Sequence, residues 1–125
     1  MRQIGIIPSG CQLAFGNMVA FNGQYIMYAS TLAVYIINPS TFVVEKVLSN
    51  NSKTIISIAA SPHDDDLVAM VDFEGQVILW KISTEEIIAS VSATSRMSLM
   101  IQWEPQSSKH CTLMSNGTSI KLYQW

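Results

Sequence analysis

Apolar and polar positions along the chain alternate with a period of two or fall into short solid apolar runs, and no stretch keeps the 3.6-residue period of a helix. The clearest series is in the middle. Residues 55–59 (Ile-Ile-Ser-Ile-Ala) form a β-rich run closed by Ser61-Pro62, where proline cannot extend a hydrogen-bonded ladder. His63-Asp64-Asp65-Asp66 reads as a turn. Residues 67–71 are almost wholly apolar, which predicts a strand buried on both faces. Asp72-Phe73-Glu74-Gly75 is a hairpin with a glycine where a positive φ is expected. Residues 76–82 form a third strand, Ser83-Thr84-Glu85-Glu86 a further turn, and residues 87–91 an outer strand.

The same grammar recurs on either side. Upstream, strands are predicted at 18–21, 25–28, 33–37 and 43–48, with Asn22-Gly23 as a hairpin signal between the first two. Downstream, strands are predicted at 99–103, 111–114 and 119–123, with Ser115-Asn116-Gly117-Thr118 as the turn between the last two. An offset of 43 residues carries Ser40-Thr41 onto Ser83-Thr84 and Pro62 onto Pro105. It also carries Val34 onto Val77, Met27 onto Met70, Ile58 onto Ile101, Ala60 onto Trp103, Val77 onto Ile120, Leu79 onto Leu122 and Trp80 onto Tyr123. A period of about 40–45 residues is that of a four-stranded propeller blade. The predicted fold is all-β: a partial β-propeller of about three four-stranded antiparallel blades. Residues 1–10 form an N-terminal arm, 11–50 the first blade, 51–93 the second, and 94–125 an incomplete third that stops before its outer strand.

Ser61-Pro62, the apolar strand after it, and Gly75-Gln76-Val77-Ile78-Leu79-Trp80 resemble the recurring pattern of the WD-repeat family. Trp103-Glu104-Pro105 is similar to the tryptophan-x-proline that closes that family's innermost strand, and the resemblance runs over about residues 18–125. It implies a cytoplasmic, non-enzymatic protein-binding scaffold, with cilia as one setting. The alternative is a permanent structural subunit of a large axonemal or trafficking assembly. The chain also departs from the pattern. Ser52-Lys53-Thr54 and Ser95-Arg96-Met97 stand where the family often has Gly-His, Glu74 and Asn116 stand where it has a hairpin aspartate, and Lys81 follows Trp80 in place of aspartate. The family's buried His–Asp network is therefore expected to be absent, leaving apolar packing to brace the blades. Three units are too few to close a ring, which takes four to eight blades. The remaining blades of a longer chain, or another chain, are expected partners. Residues 3–7 are a candidate outer strand that would lock such a ring.

Charged residues are only 13% of the 125, against a hydrophobic share of 49%. That is about half the usual charge, and it suggests that part of the surface is covered. A net charge of −2 without a basic cluster argues against nucleic acid. Cys11 and Cys111 make no disulfide framework, and reduced thiols are expected. The opening apolar stretch is too short for a signal sequence, and no run approaches the roughly 20 residues of a membrane span. The sequons at Asn50 and Asn116 are accordingly read as chance matches.

Few groups suggest chemistry. His63 with Asp64, Asp65 and Asp66 has the residue types of a divalent-ion site, but the run is read as a solvated turn between two strands. His110-Cys111 has no further ligand at zinc spacing, and adjacent strand residues point to opposite faces. Glu85-Glu86 is read as a surface turn, not an acid–base pair. Trp80, Trp103 and Tyr123 keep repeat-locked positions, which favours packing between blades over a ligand site. No glycine-rich phosphate loop or nucleophile elbow occurs, so no catalytic residue, metal or cofactor is assigned. The candidate protein-binding residues are Lys53 and Arg96, cations in equivalent linkers between an outer strand and the next innermost strand.

Overall fold

The structure is a computed structural model that describes residues 1–3, 17–49, 52–92, 99–106, 110–115 and 119–124. Among the described residues, eleven strands follow one another as antiparallel meanders. The first sheet is β1 (Val19–Phe21), β2 (Ile26–Ser30), β3 (Ala33–Ile37) and β4 (Val44–Leu48). The second is β5 (Ile55–Ala60), β6 (Leu67–Asp72), β7 (Gln76–Lys81) and β8 (Glu86–Ser92). The third has three strands, β9 (Leu99–Trp103), β10 (His110–Ser115) and β11 (Ser119–Gln124). No helix occurs among the described residues. Two four-stranded antiparallel sheets beside a three-stranded one fit a partial β-propeller.

Short polar side chains shape the turns that set each register. Asn22 Oδ1 accepts the amide hydrogens of Gln24 (2.9 Å) and Tyr25 (2.7 Å), and Gly23 between them has φ +90°. Asn38 Oδ1 does the same for Ser40 (2.8 Å) and Thr41 (3.2 Å) ahead of β4. In the β6–β7 hairpin the carboxylate is Asp72, not Glu74. Asp72 is buried, and its Oδ1 accepts the amides of Glu74 and Gln76, both at 2.9 Å. The carboxylate that braces that hairpin thus lies two residues before Glu74, at the end of β6.

The core lies between the sheets. One cluster joins Met27, Ala29, Val34 and Ile36 of the first sheet to Ile58, Val68, Met70, Ile78 and Trp80 of the second. The other joins Ala69, Val71, Val77 and Leu79 of the second to Ile101 and Trp103 of the third. The second sheet is thus covered on both faces, and Val68, Ala69, Met70 and Val71 of β6 are all 0% exposed, as the solid apolar run predicts. Each buried aliphatic side chain of this kind stabilises by about 1.5–3 kcal/mol. The outer strand β8 is exposed along most of its length, with Ile87, Ile88 and Val91 at the surface.

The repeat holds with one correction. Val34 and Ile36 match Val77 and Leu79 in facing the next sheet, but Met27 does not match Met70. Met27 pairs with Ile36, whereas Met70 pairs with Ile78, and the two methionines lie on opposite faces of their sheets. The β2–β3 turn is Thr31-Leu32, one residue shorter than the Phe73–Gly75 turn of β6–β7, so the structural partner of Met27 is Ala69. A one-residue slip exchanges the faces of a strand. The aromatic expectation holds for Trp80 and Trp103, which are 2% and 8% exposed. The side chain of Tyr123, like those of His110 and Cys111, lies outside the described residues. So do Arg96 and, apart from Gln3, the candidate strand at 3–7.

Hydrogen bonds cross both sheet junctions. The Asn17 carbonyl accepts from the Ile58 amide (2.8 Å), and the Thr31 carbonyl accepts from Ile55 (2.7 Å). Across the second junction Ser57 Oγ accepts from the Ile101 amide (3.2 Å), and the Trp103 indole donates to the Ala59 carbonyl (2.9 Å). Among the described residues, by contrast, Trp80 has no partner for its buried indole N–H. The two tryptophans should therefore differ under the same substitution. Trp103→Phe should cost about 1–2 kcal/mol in urea denaturation, through lost packing and a lost bond. Trp80→Phe removes a donor with no partner and should stay within about 1 kcal/mol of the parent. Gly23→Ala should cost about 1–2 kcal/mol purely through its backbone, since a Cβ there meets nothing within 4 Å.

Candidate interaction surface

Two loop edges flank the sheets. At one, the turns carry the acidic run. Ser61, buried at the end of β5, accepts through Oγ from the amides of His63 and Asp64 (both 3.2 Å). Asp64 Oδ1 accepts from the Asp66 amide at 2.9 Å. Asp66 Oδ1 accepts from the Ser83 amide (2.6 Å), and its Oδ2 accepts from the Ser83 hydroxyl (2.5 Å). The turn also reaches both neighbouring sheets. Asn22 Nδ2 donates to the Asp65 carbonyl at 2.7 Å, and His63 Nε2 lies 3.2 Å from the Glu104 carbonyl. Beside it is an open, polar notch of about 510 Å³ lined by Tyr25, His63, Asp64, Asp65, Asp66 and Ser83. Asp64 and Asp66 already tie backbone to backbone, and no three His, Cys, Asp or Glu side chains converge as a metal requires among the described residues. The run is a junction that pins three sheets together at one edge.

At the opposite edge, backbone bonds gather the β2–β3 turn, the linker into β5 and the β6–β7 hairpin. Ile55 donates to the Thr31 carbonyl at 2.7 Å, and Phe73 donates to the Thr54 carbonyl at 2.8 Å. Lys53 lies in this linker, and its Nζ is 3.0 Å from Glu74 Oε1. Both side chains are about half exposed, so their pairing contributes little, of order a few tenths of a kcal/mol. Phe73 stands at the hairpin tip, 56% exposed, and Leu32 at the neighbouring tip is 44% exposed. Arg96, the other sequence candidate, lies outside the described residues. Lys53 is thus one part of a mixed patch with Phe73 and Glu74. In the sequence alone, Phe73 reads only as a turn residue. A large aromatic in a hairpin that favours Asn, Asp and Gly was the available signal.

A second surface crosses the innermost strands. A groove of about 380 Å³ runs over Val19, Phe21, Ile58, Ala60, Ile101 and Trp103, with Asn17 and Gln102 also in its lining, so that it is about equally polar and apolar. It offers no set of convergent ionisable groups for acid–base chemistry. No known protein-family model matches this chain. Lys53→Ala should change stability by less than about 0.5 kcal/mol in chemical denaturation, because the pair is exposed. Asp66→Ala should cost about 1–2 kcal/mol in the same measurement, because the β7–β8 turn loses both of its bonds to that carboxylate.

Proposed function

We propose that this chain is a non-enzymatic protein–protein interaction scaffold, a WD-repeat-type part of a larger β-propeller protein. The observation that carries the reading is a rigid frame with a mixed apolar and charged loop edge. The second sheet is covered on both faces, while Phe73, Lys53 and Glu74 project from hairpin and linker at one edge. Recognition commonly resides in loops held by a stiff scaffold. An aromatic beside an adaptable ion pair is the composition of a protein-binding patch. The 43-residue repeat and the likeness of its middle unit to WD repeats favour the propeller reading, and a cytoplasmic setting, with cilia as one site of action, follows from that likeness. Lys53 and Arg96 remain the proposed cationic contacts, with Phe73 added. The reading involves no nucleic acid and no cofactor.

A permanent structural role in a large assembly is the second reading, favoured by the exposed Val19 and Phe21 on the innermost strand. The two separate in one experiment. The immobilised chain and its Phe73→Ser/Lys53→Ala double variant are each exposed to cell extract, and retained proteins are quantified by mass spectrometry. A scaffold should hold a discrete set that falls about tenfold or more on the variant, with an unchanged circular dichroism spectrum. Equal retention by both proteins would remove the loop-edge reading and leave the structural one.

A further inference from the structure

The Asn22-Gly23 pair combines a chemical weakness with a structural task. The side-chain carbonyl carbon of an asparagine, Cγ, can be attacked by the backbone nitrogen of the next residue, and a side chain on that residue obstructs the approach. Glycine has none, and even a Cβ built at Gly23 would meet nothing within 4 Å. Gly23 is exposed, and among the described residues no hydrogen bond engages its amide. The other described asparagines lack this combination. Asn17 precedes Met18, whose side chain crowds the approach, and Asn38 precedes Pro39, which has no amide hydrogen to lose.

The same side chain pins two sheets together. Asn22 Oδ1 accepts the amides of Gln24 (2.9 Å) and Tyr25 (2.7 Å), which identifies the other side-chain atom as the nitrogen. That nitrogen donates to the Asp65 carbonyl at 2.7 Å and so ties the β1–β2 hairpin to the 61–66 turn of the second sheet. A carboxylate in its place would still accept the two hairpin amides, and more strongly. It would have no hydrogen for Asp65. An oxygen would face that carbonyl oxygen instead, beside a turn that already carries Asp64, Asp65 and Asp66.

We propose that Asn22 is a site of spontaneous deamidation, and that its conversion to aspartate or isoaspartate unpins the first sheet from the acidic turn of the second. The Gly23 nitrogen gives up its proton and bonds to Asn22 Cγ. The bond from Cγ to Nδ2 breaks, and the side-chain nitrogen leaves with that proton as ammonia. The cyclic imide left behind takes up water. Opening between Cγ and the Gly23 nitrogen gives aspartate. Opening between the Asn22 backbone carbonyl carbon and that nitrogen gives isoaspartate, which routes the chain through the side chain. Water is the only co-reactant. The bonds that the Asn22 side chain makes to Gln24, Tyr25 and Asp65 oppose the attack, so the reaction proceeds through local openings of this edge.

Two measurements on the full chain test this. First, the chain is aged at mildly alkaline pH, and tandem mass spectrometry places each amide-to-acid conversion at its residue. Asn22 should convert while Asn17 and Asn38 stay intact, and about tenfold faster in urea, where its side-chain bonds are gone. Second, Asn22→Asp, which is the aspartate product, is compared with the parent by amide hydrogen exchange. The amides of Asp66, Leu67 and Ser83, held within or by the 61–66 turn, should exchange about tenfold faster, while those of Gln24 and Tyr25 stay protected. Circular dichroism verifies the fold of the variant. Aged parent, resolved from fresh chain by ion exchange through its added charge, gives the same readout if the variant does not fold. An Asn22 that stays intact in the folded chain, or converts no more slowly there than in urea, would overturn the proposal. So would unchanged exchange at Asp66, Leu67 and Ser83, or equal loss of protection at Gln24 and Tyr25.

Discussion

The second sheet has to be dry on both sides, and the rest of the chain is arranged around that requirement. An antiparallel sheet usually keeps one face in water. Here β6 and β7 bury both over residues 68–71 and 77–80, so no charge is accommodated along that stretch, and their register admits no slip. The ladder satisfies the backbone polar groups of these strands. Their buried side chains add little polar demand, apart from the indole of Trp80 and the Asp72 carboxylate, which accepts two hairpin amides. Stability therefore comes from apolar contact with a sheet on each side, supplemented by hydrogen bonds that cross the junctions at their inner and loop edges.

The loop edges divide that work. At the acidic edge, the 61–66 turn engages Asn22 through the Asp65 carbonyl, Ser83 through the Asp66 carboxylate, and the Glu104 carbonyl just after β9 through the His63 ring. These are bonds of position, and they fix how three sheets fan out. At the other edge, the backbone bonds of Thr31 and Thr54 do the positioning, which leaves Phe73 and the Lys53–Glu74 pair at the surface. Recognition is proposed at the second edge because its side chains are not needed to hold the frame together.

Much of the fold was legible in the sequence because strand alternation is a local signal. Residues 33–37 and 99–103 are strands over the span that the pattern predicts, and the solid run from 67 is buried on both faces. Less legible was everything that depends on counting across a turn. Met27 and Met70 look equivalent by offset, yet lie on opposite faces because one hairpin is a residue shorter. The Trp103–Ala59 and Ser57–Ile101 bonds link residues more than forty positions apart, and no local pattern announces them. At the candidate site, Lys53 was visible as an isolated cation. Its tie to Glu74, and the exposure of Phe73 beside it, needed the hairpin to be placed in space.

The unequal hairpins have a consequence for how such a chain can drift over evolutionary time. A residue gained inside β2 or β6 would turn half of that strand inside out and expose the core. A residue gained between strands leaves each strand's inward set intact and is absorbed by the turn's geometry. Length change in this repeat is therefore confined to the loop edges, where the proposed recognition residues also lie. The loops of each unit can diverge in length without renegotiating how the units stack.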